Sequence, residues 1–149
     1  MSPVVLLDSG PLGLVTNPKM SGTSLACAQW LQRLVAGGRR VILPEIVDYE
    51  VRRELLRAGK AQGLSQLDAL TALIEYLALT TPAMRRAAEF WAQARQHGQP
   101  TAADRTIDAD MILAGQAATL GVADVVIATT NVGHLSRFVP AEQWQKISA

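Results

Sequence analysis

Four polar side chains in this 149-residue chain lie at positions where an α/β protein can do chemistry. Asp8 directly follows a continuous apolar run, and Asn131 follows another. Asp110 lies in the first turn of a helical pattern that precedes the second run, and Glu50 lies in an earlier helical pattern. Open α/β sheets bind their ligands beyond the carboxyl ends of the strands. We therefore expect these side chains to gather at that edge of a sheet.

Converging carboxylates restrict the chemistry that such a site can perform. Two or three carboxylates at one point repel each other unless a cation neutralises them. Mg²⁺ and Mn²⁺ prefer oxygen ligands and keep several of their water molecules. An ion of this kind activates water and stabilises the charge that develops on a phosphodiester oxygen. The pattern therefore predicts a Mg²⁺ or Mn²⁺ centre with hydrolytic chemistry.

Helix geometry separates Asp110 from its neighbour Asp108. Side chains two residues apart in a helix point about 200° away from each other. Asp110 shares a face with Leu113, Ala114 and Ala117, which are suited to pack against a sheet. We therefore expect Asp110 to point along the buried face, and Asp108 to cap the helix or to support the site from its start.

The second helical pattern offers four acids, and geometry gives Glu50 only a modest lead among them. Glu45 and Asp48 lie in the first turn, where acids favour the helix dipole without any further role. Glu54 has Arg57 three residues later, so it can form a surface ion pair. Glu50 has an orientation compatible with a half-buried position, and it stays one candidate among these acids.

No motif in the sequence indicates a competing cofactor. The chain lacks the G-x-G-x-x-G, Walker, C-x-x-C and H-E-x-x-H patterns, and two histidines with one cysteine make a zinc centre a poor fit. Its net charge is only +1, so no strong overall field attracts a polyanion. Local arginines would have to contact phosphate, and Arg53 and Arg105 are the candidates nearest to the acids.

The cysteine count and the N-terminus predict a cytoplasmic protein. A single cysteine, Cys27, excludes an internal disulfide and suits a reducing compartment. Because it lies in an apolar helical pattern, we expect it to be buried and inert. The first residues lack both a signal peptide and a long apolar stretch, so we expect no membrane partner.

The elements that must position the acids alternate between strands and helices. Apolar and β-branched runs predict strands over residues 4–7, 40–43, 77–80 and 125–129, with a final edge strand over 144–148. Helical spacing predicts helices over residues 24–35, 44–58, 65–76, 82–96 and 109–120. The Asp-Ser-Gly-Pro run after the first strand predicts a turn. This alternation predicts a single α/β domain, with a central parallel sheet of four to five strands flanked by helices on both faces.

Four segments, taken in order, carry a resemblance to a known family. The first is the strand that runs into Asp8 and Ser9, and the second is the segment 41–50 that ends at Glu50. The third is the alanine-rich helix that Asp110 heads, and the fourth is the strand that ends in Thr129-Thr130-Asn131. Together they resemble the PIN domain, a family of metal-dependent nucleases, over nearly the whole chain.

The resemblance implies a single PIN-like domain over residues 1–149 that cleaves single-stranded RNA. Asp8, Glu50 and Asp110 would ligate Mg²⁺ or Mn²⁺ directly or through water, and Asn131 would complete the shell. Many small members are toxins of the VapC type that a partner antitoxin silences. Small PIN-like proteins are also commonly dimers, so the resemblance allows a homodimer without fixing the oligomeric state.

Three hydroxyl-bearing residues border the acids in the sequence. Ser9, Thr129 and Thr130 each have the position to hydrogen-bond a carboxylate or a phosphate. A hydroxyl beside a strand end also commonly stabilises a turn. Both roles stay open for each of them.

One departure from the family pattern keeps a second hypothesis open, and a third is independent of it. Asn131 stands where many members carry Asp, and a neutral amide contributes less charge to a cation. The second hypothesis is therefore a PIN-like domain that binds RNA or a protein without cutting. The third is an unrelated α/β enzyme in which Asp8 accepts a phosphoryl group. Gly10 disfavours it, because a haloacid-dehalogenase-type phosphatase carries Asp at that position.

Overall fold

Five short strands form one parallel sheet in the computed structural model, which describes residues 2–96 and 104–148, and their side chains except those of 104–107. The strands are β1 (Val4–Leu7), β2 (Val41–Pro44), β3 (Glu75–Leu77), β4 (Val125–Thr129) and β5 (Ala141–Gln143). They lie in the order β3-β2-β1-β4-β5, and every neighbouring pair is parallel. The predicted parallel sheet of four to five strands is confirmed.

Six α-helices connect and cover the strands in the described ranges. They are α1 (Ser9–Val15), α2 (Gly22–Ala36), α3 (Glu45–Arg57), α4 (Ala61–Leu73), α5 (Thr81–Gln96) and α6 (Asp104–Ala118). None of the described helices is long and apolar enough to cross a membrane. The architecture is an α/β domain, as the alternation of elements predicts.

The strand order places a crevice at the carboxyl ends of β1 and β4. From β1 the chain moves outward to β2 and β3, and then returns to add β4 and β5 on the other side. Leu7 at the end of β1 pairs with Ala128 of β4, so Asp8 and Thr129 leave the sheet side by side. A reversal of this kind is the point at which open α/β sheets bind ligands.

The core is built from strands that are apolar along their whole length. Val5, Leu6 and Leu7 have no exposed surface, and Ile127 and Ala128 beside them have none either. Strands without an apolar–polar alternation are typical of parallel sheets with helices on both faces. Burial in this core explains why short runs of four or five residues form stable strands.

The helix α1 replaces the turn predicted after the first strand. Asp8 caps this helix, since one of its carboxylate oxygens accepts a hydrogen bond from the Ser9 backbone N–H. Pro11 lies in the first turn, where its missing N–H costs no helical hydrogen bond. An acid followed by an early proline is a start signal for a helix, and Asp-Ser-Gly-Pro contains it.

The predicted edge strand over 144–148 is wrong. The fifth strand instead covers Ala141–Gln143, and Trp144–Lys146 forms a short 3₁₀ helix. Trp144 turns into the core, where its ring lies 5.5 Å from that of Trp30 between centroids. The Trp30 indole N–H also donates a hydrogen bond to the Ile147 carbonyl oxygen at 2.9 Å. These contacts with α2 anchor the C-terminal segment and take it away from the sheet.

Contacts with residues distant in the sequence also explain why the helix and strand around β3 have bounds that differ from the predicted ones. The sequence predicts a helix over 65–76 and a strand over 77–80, whereas the helix ends at Leu73 and the strand is Glu75–Leu77. Glu75 accepts two hydrogen bonds of 2.8 Å from the Arg40 guanidinium next to β2. Tyr76 donates its hydroxyl hydrogen to Asp48 on α3 at 2.6 Å. The β3 segment is extended because its side chains have partners beside β2 and on α3. Local sequence patterns do not reveal these partners.

A close approach of α5 and α6 generates a test of this packing. A β-carbon at Gly115 would overlap the Ala83 carbonyl oxygen and lie 3.1 Å from the Ala87 nitrogen. We expect Gly115→Ala to lower the free energy of unfolding by about 1–3 kcal/mol, because the helices must separate. Gly13→Ala is the matched control, since a β-carbon on this α1 glycine meets nothing within 4 Å. Gly13→Ala should raise the free energy of unfolding by roughly 0.5–1 kcal/mol. Urea unfolding measures both changes, and equal effects of the two substitutions would contradict the close approach of α5 and α6.

Candidate functional site

Asp8 is held in a fixed orientation at the end of β1. Its backbone N–H donates to the Ala128 carbonyl oxygen at 2.9 Å. One carboxylate oxygen accepts the Ser9 N–H at 2.7 Å, and the other accepts the Thr129 hydroxyl at 2.7 Å. Burial raises the pKa of Asp8, and the hydrogen bonds from Thr129 and Ser9 lower it in part. The carboxylate is therefore buried and oriented by its neighbours.

Glu50 and Asp110 lie close enough to Asp8 to feel its charge. Burial and the negative charge of Asp8 raise the pKa of Glu50, and the Arg53 guanidinium opposes this rise. Burial, together with the negative charges of Asp8 and Glu50, raises the pKa of Asp110 to about 7. The charge of Asp8 acts on both, and that of Glu50 acts on Asp110, so β1, α3 and α6 carry these three carboxylates to the same region. Glu50, one of the four acids that the sequence leaves open on α3, therefore lies near Asp8.

The other α3 acids have structural partners. Asp48 is buried and accepts hydrogen bonds from the Tyr76 hydroxyl and from Arg52. Glu45 accepts the backbone N–H of Leu79 at 2.7 Å. Glu54 pairs with Arg57 at 2.9 Å on the surface, as its spacing predicts. These contacts hold α3 against its neighbours and leave Glu50 for the site.

A buried glutamine that the sequence analysis does not single out links the two helices of the site. Gln116 is 1% exposed, and its side-chain oxygen accepts the Ile46 N–H at the start of α3 at 3.3 Å. Its side-chain nitrogen donates to the Leu77 carbonyl oxygen in β3 at 2.9 Å. One amide therefore ties α6 to both α3 and β3. The helical pattern gave no signal for this role, since Gln116 lies about 200° around the helix from Ala114 on the predicted buried face.

Thr129 and Asn131 form a turn beside the carboxylates. The Asn131 backbone N–H donates to the Thr129 hydroxyl oxygen at 3.0 Å. The Asn131 side chain is exposed, and its oxygen accepts the Gly133 N–H at 3.1 Å. Thr130 is exposed as well and lies against Gly10, where any β-carbon would overlap its side chain. Asn131 therefore stands at the site entrance with its side chain engaged in its own loop.

The structure does not bring Asp108 to the site. The helix α6 begins at Asp104, so Asp108 lies inside it and the predicted cap is wrong. Asp108 is exposed and borders a surface groove with Met84 and Trp91 of α5. The side chain of Arg105, the predicted RNA contact on α6, lies outside the described residues. Asp110, by contrast, shares its face with buried apolar residues as predicted.

Two further residues lie where the sequence predicts. Arg53 is exposed on α3 beside Glu50, and its contact with phosphate stays a prediction. Cys27 is fully buried, and burial raises the pKa of its thiol to about 12. A thiol in that state is not a nucleophile at neutral pH.

The three carboxylates fit a hard divalent cation by their donor chemistry. In the described part of the chain, no group of three Asp, Glu, His or Cys side chains is arranged so that it could by itself hold a metal ion. Mg²⁺ does not need such a group, because it keeps several waters and is held by one or two carboxylates. Asp8, Glu50 and Asp110 offer oxygen donors, and a cation would remove the repulsion that raises their pKa values.

The solved structures that resemble this chain include VapBC, VapC and FitAB-type proteins. The chain superposes on VapBC2 from Rickettsia felis, solved bound to a promoter DNA fragment, with a TM-score of 0.73 and 17% identity over 95% of this chain and 98% of the other. FitAcB from Neisseria gonorrhoeae matches with a TM-score of 0.72 and 19% identity over 96% and 99% of the two chains. The chain has the PIN-domain fold of VapC-type proteins.

A third PIN-domain structure is similar along most of its length. VapC20 from Mycobacterium tuberculosis, described as a toxin that cleaves the Sarcin-Ricin loop, has a TM-score of 0.60 and 15% identity over 91% of this chain and 96% of the other. No family model and no curated protein matches the sequence. At these identities the PIN-domain likeness establishes the fold, and the chemistry has to be argued from the site.

The hydrogen bond between Thr129 and Asp8 is directly testable. Thr129→Val removes the hydroxyl that donates to Asp8 and accepts from the Asn131 N–H. We expect the pKa of Asp8 to rise further, because an interaction with its ionised form is lost. We also expect the free energy of unfolding to fall by about 1–3 kcal/mol, because the buried Asp8 carboxylate, an acceptor, loses its donor.

Thr129→Ser, which keeps the hydroxyl, serves as the control for this prediction. NMR titration of the side-chain carboxyl carbons reports the pKa, and urea unfolding reports the stability. An Asp8 carboxyl that titrates at the same pH in the wild type and Thr129→Val would show that the hydroxyl does not orient it.

Proposed function

We propose that this chain is a metal-dependent endoribonuclease that cleaves phosphodiester bonds of single-stranded RNA. The observation that carries the proposal is the cluster of Asp8, Glu50 and Asp110 at the reversal point of the strand order. Buried carboxylates that repel one another are costly for a fold, so their presence together favours a role with a cation. The PIN-domain fold of the chain supports the same chemistry.

In this mechanism the protein orients the ligands before the substrate arrives. Asp8, Glu50 and Asp110 would hold Mg²⁺ or Mn²⁺, with Asn131 at the entrance. When bound, such an ion supplies an activated water and stabilises negative charge on the phosphate. Thr129 and Ser9 keep the Asp8 carboxylate in place, so little reorganisation is needed.

A groove beside the acids offers room for an RNA strand. It measures about 1030 Å³ and runs from Ser9 and Glu50 along α3 to the start of α4. Its walls carry four cationic side chains, Lys19, Arg53, Arg57 and Lys60. Cationic side chains along a groove that ends at the acidic centre suit the phosphate backbone of RNA. These local contacts would supply the electrostatic affinity for RNA that the net charge of +1 does not.

We also propose that a partner antitoxin binds this chain. The solved neighbours include VapBC from Salmonella typhimurium bound to DNA and FitAB bound to a DNA fragment, in which the PIN-type protein is solved with its partner. This partner is proposed by analogy of fold alone. The homodimer and the cytoplasmic location expected from the sequence stay predictions.

Cleavage of a fluorescent single-stranded RNA tests the proposed activity. We expect cleavage with Mn²⁺ or Mg²⁺ and none with EDTA. Asp8→Asn and Asp110→Asn should each reduce the rate by roughly 100-fold or more, because each removes a proposed ligand of the ion. Asp108→Asn is the matched control, since it removes an exposed acid from the same helix and should leave the rate unchanged.

Two results would contradict the proposed activity. Cleavage that survives in EDTA or in Asp110→Asn would come from another centre or from a contaminant. A wild type that binds the RNA under every metal without cutting it would support the alternative, a PIN-like binding domain.

A further inference from the structure

An exposed aromatic ring stands next to the acidic centre. Tyr49 directly precedes Glu50 on α3, and 56% of its surface is exposed. The Arg53 guanidinium lies over this ring, 5.1 Å from its centroid. Within the described residues, the Tyr49 hydroxyl makes no hydrogen bond. Tyr76 differs in this respect, since its hydroxyl donates to Asp48 and joins β3 to α3.

Helix spacing places the ring, the guanidinium and the carboxylate in a row. Arg53 is four residues after Tyr49 and three after Glu50, and both spacings bring side chains together on a helix surface. Arg53 also lines the cationic groove that contains Glu50. The row therefore runs from the acidic centre, through a cation, to an aromatic face at the rim of the groove.

We infer that Tyr49 and Arg53 form a stacking site for an unpaired nucleobase next to the acidic centre. This inference rests on the proposed function and adds a substrate contact to it. Aromatic rings and guanidinium planes both stack on bases, and Arg53 can also contact a phosphate. A strand whose phosphate lies at the carboxylates would extend past Arg53 and present its next base to the ring.

The stacking site also explains why the substrate would be single-stranded. The bases of a duplex are stacked on each other and paired, so they cannot lie on a protein ring without first being released. Stacking on Tyr49 depends on the flat face that every base has, so it selects unpaired strands without selecting a sequence. The exposed Leu56, two turns after Tyr49 on α3, lacks such a face and gives a control for general apolar contact.

RNA binding without cleavage tests the stacking site. We would measure the anisotropy of a fluorescent single-stranded RNA with the Asp8→Asn variant in Mg²⁺ as the parent, so that binding is measured without turnover. Adding Tyr49→Ala should weaken binding about tenfold, within the range that base stacking on an aromatic side chain supplies. Adding Tyr49→Phe should preserve it, and adding Leu56→Ala should not change it.

A spectroscopic signal separates stacking from a loss of structure. RNAs that carry 2-aminopurine at successive positions should show quenched fluorescence at one position with the parent and with Tyr49→Phe, but not with Tyr49→Ala. If Tyr49→Ala binds as tightly as the parent, or if the parent binds no RNA, the inference is overturned. The exposed Tyr49 ring would then be a candidate contact for a protein partner. Quenching that persists in Tyr49→Ala overturns it as well. Failure of the proposed function would instead appear as absent cleavage by the wild type.

Discussion

The repulsion between Asp8, Glu50 and Asp110 is the constraint on which the rest of the structure depends. Burial raises the pKa of each of them, the charge of Asp8 adds to the rise at Glu50 and Asp110, and the pKa of Asp110 reaches about 7. Three separate elements carry these carboxylates, so repulsion tends to push β1, α3 and α6 apart. The contacts around them resist this tendency. Thr129 holds the Asp8 carboxylate, and Gln116 fastens α6 to the first turn of α3.

The apolar core offsets the destabilising effect of the acidic cluster. The central strands are apolar on both faces, and burial of each such side chain contributes about 1.5–3 kcal/mol. Gly115 allows the backbones of α5 and α6 to approach closely behind the cluster. Sites that perform chemistry are commonly destabilising, and the surrounding core offsets them. The apolar sheet and the close-packed α6 are therefore part of the site as much as the acids are.

Local sequence patterns predicted much of this arrangement, and two of the failures share one physical cause. Apolar runs located β1 and β4, and helical spacing oriented Asp110 correctly towards the buried face. The C-terminal strand was displaced because Trp144 packs on Trp30, more than a hundred residues away in the chain. The role of Gln116 was missed because its partners lie on α3 and β3. Contacts between distant residues decide these features, and periodicity carries no information about them.

Thermal unfolding of the wild type and Asp110→Asn at pH 8, in EDTA and in Mn²⁺, tests the central claim most directly. An acid whose pKa is raised in the folded state destabilises that state once the pH exceeds the raised value, and pH 8 lies above the pKa of about 7 for Asp110. We predict that Asp110→Asn unfolds at a higher temperature than the wild type in EDTA. Mn²⁺ should raise the unfolding temperature of the wild type more than that of the variant. A variant that is less stable in EDTA, together with a wild type that does not respond to Mn²⁺, would contradict the account.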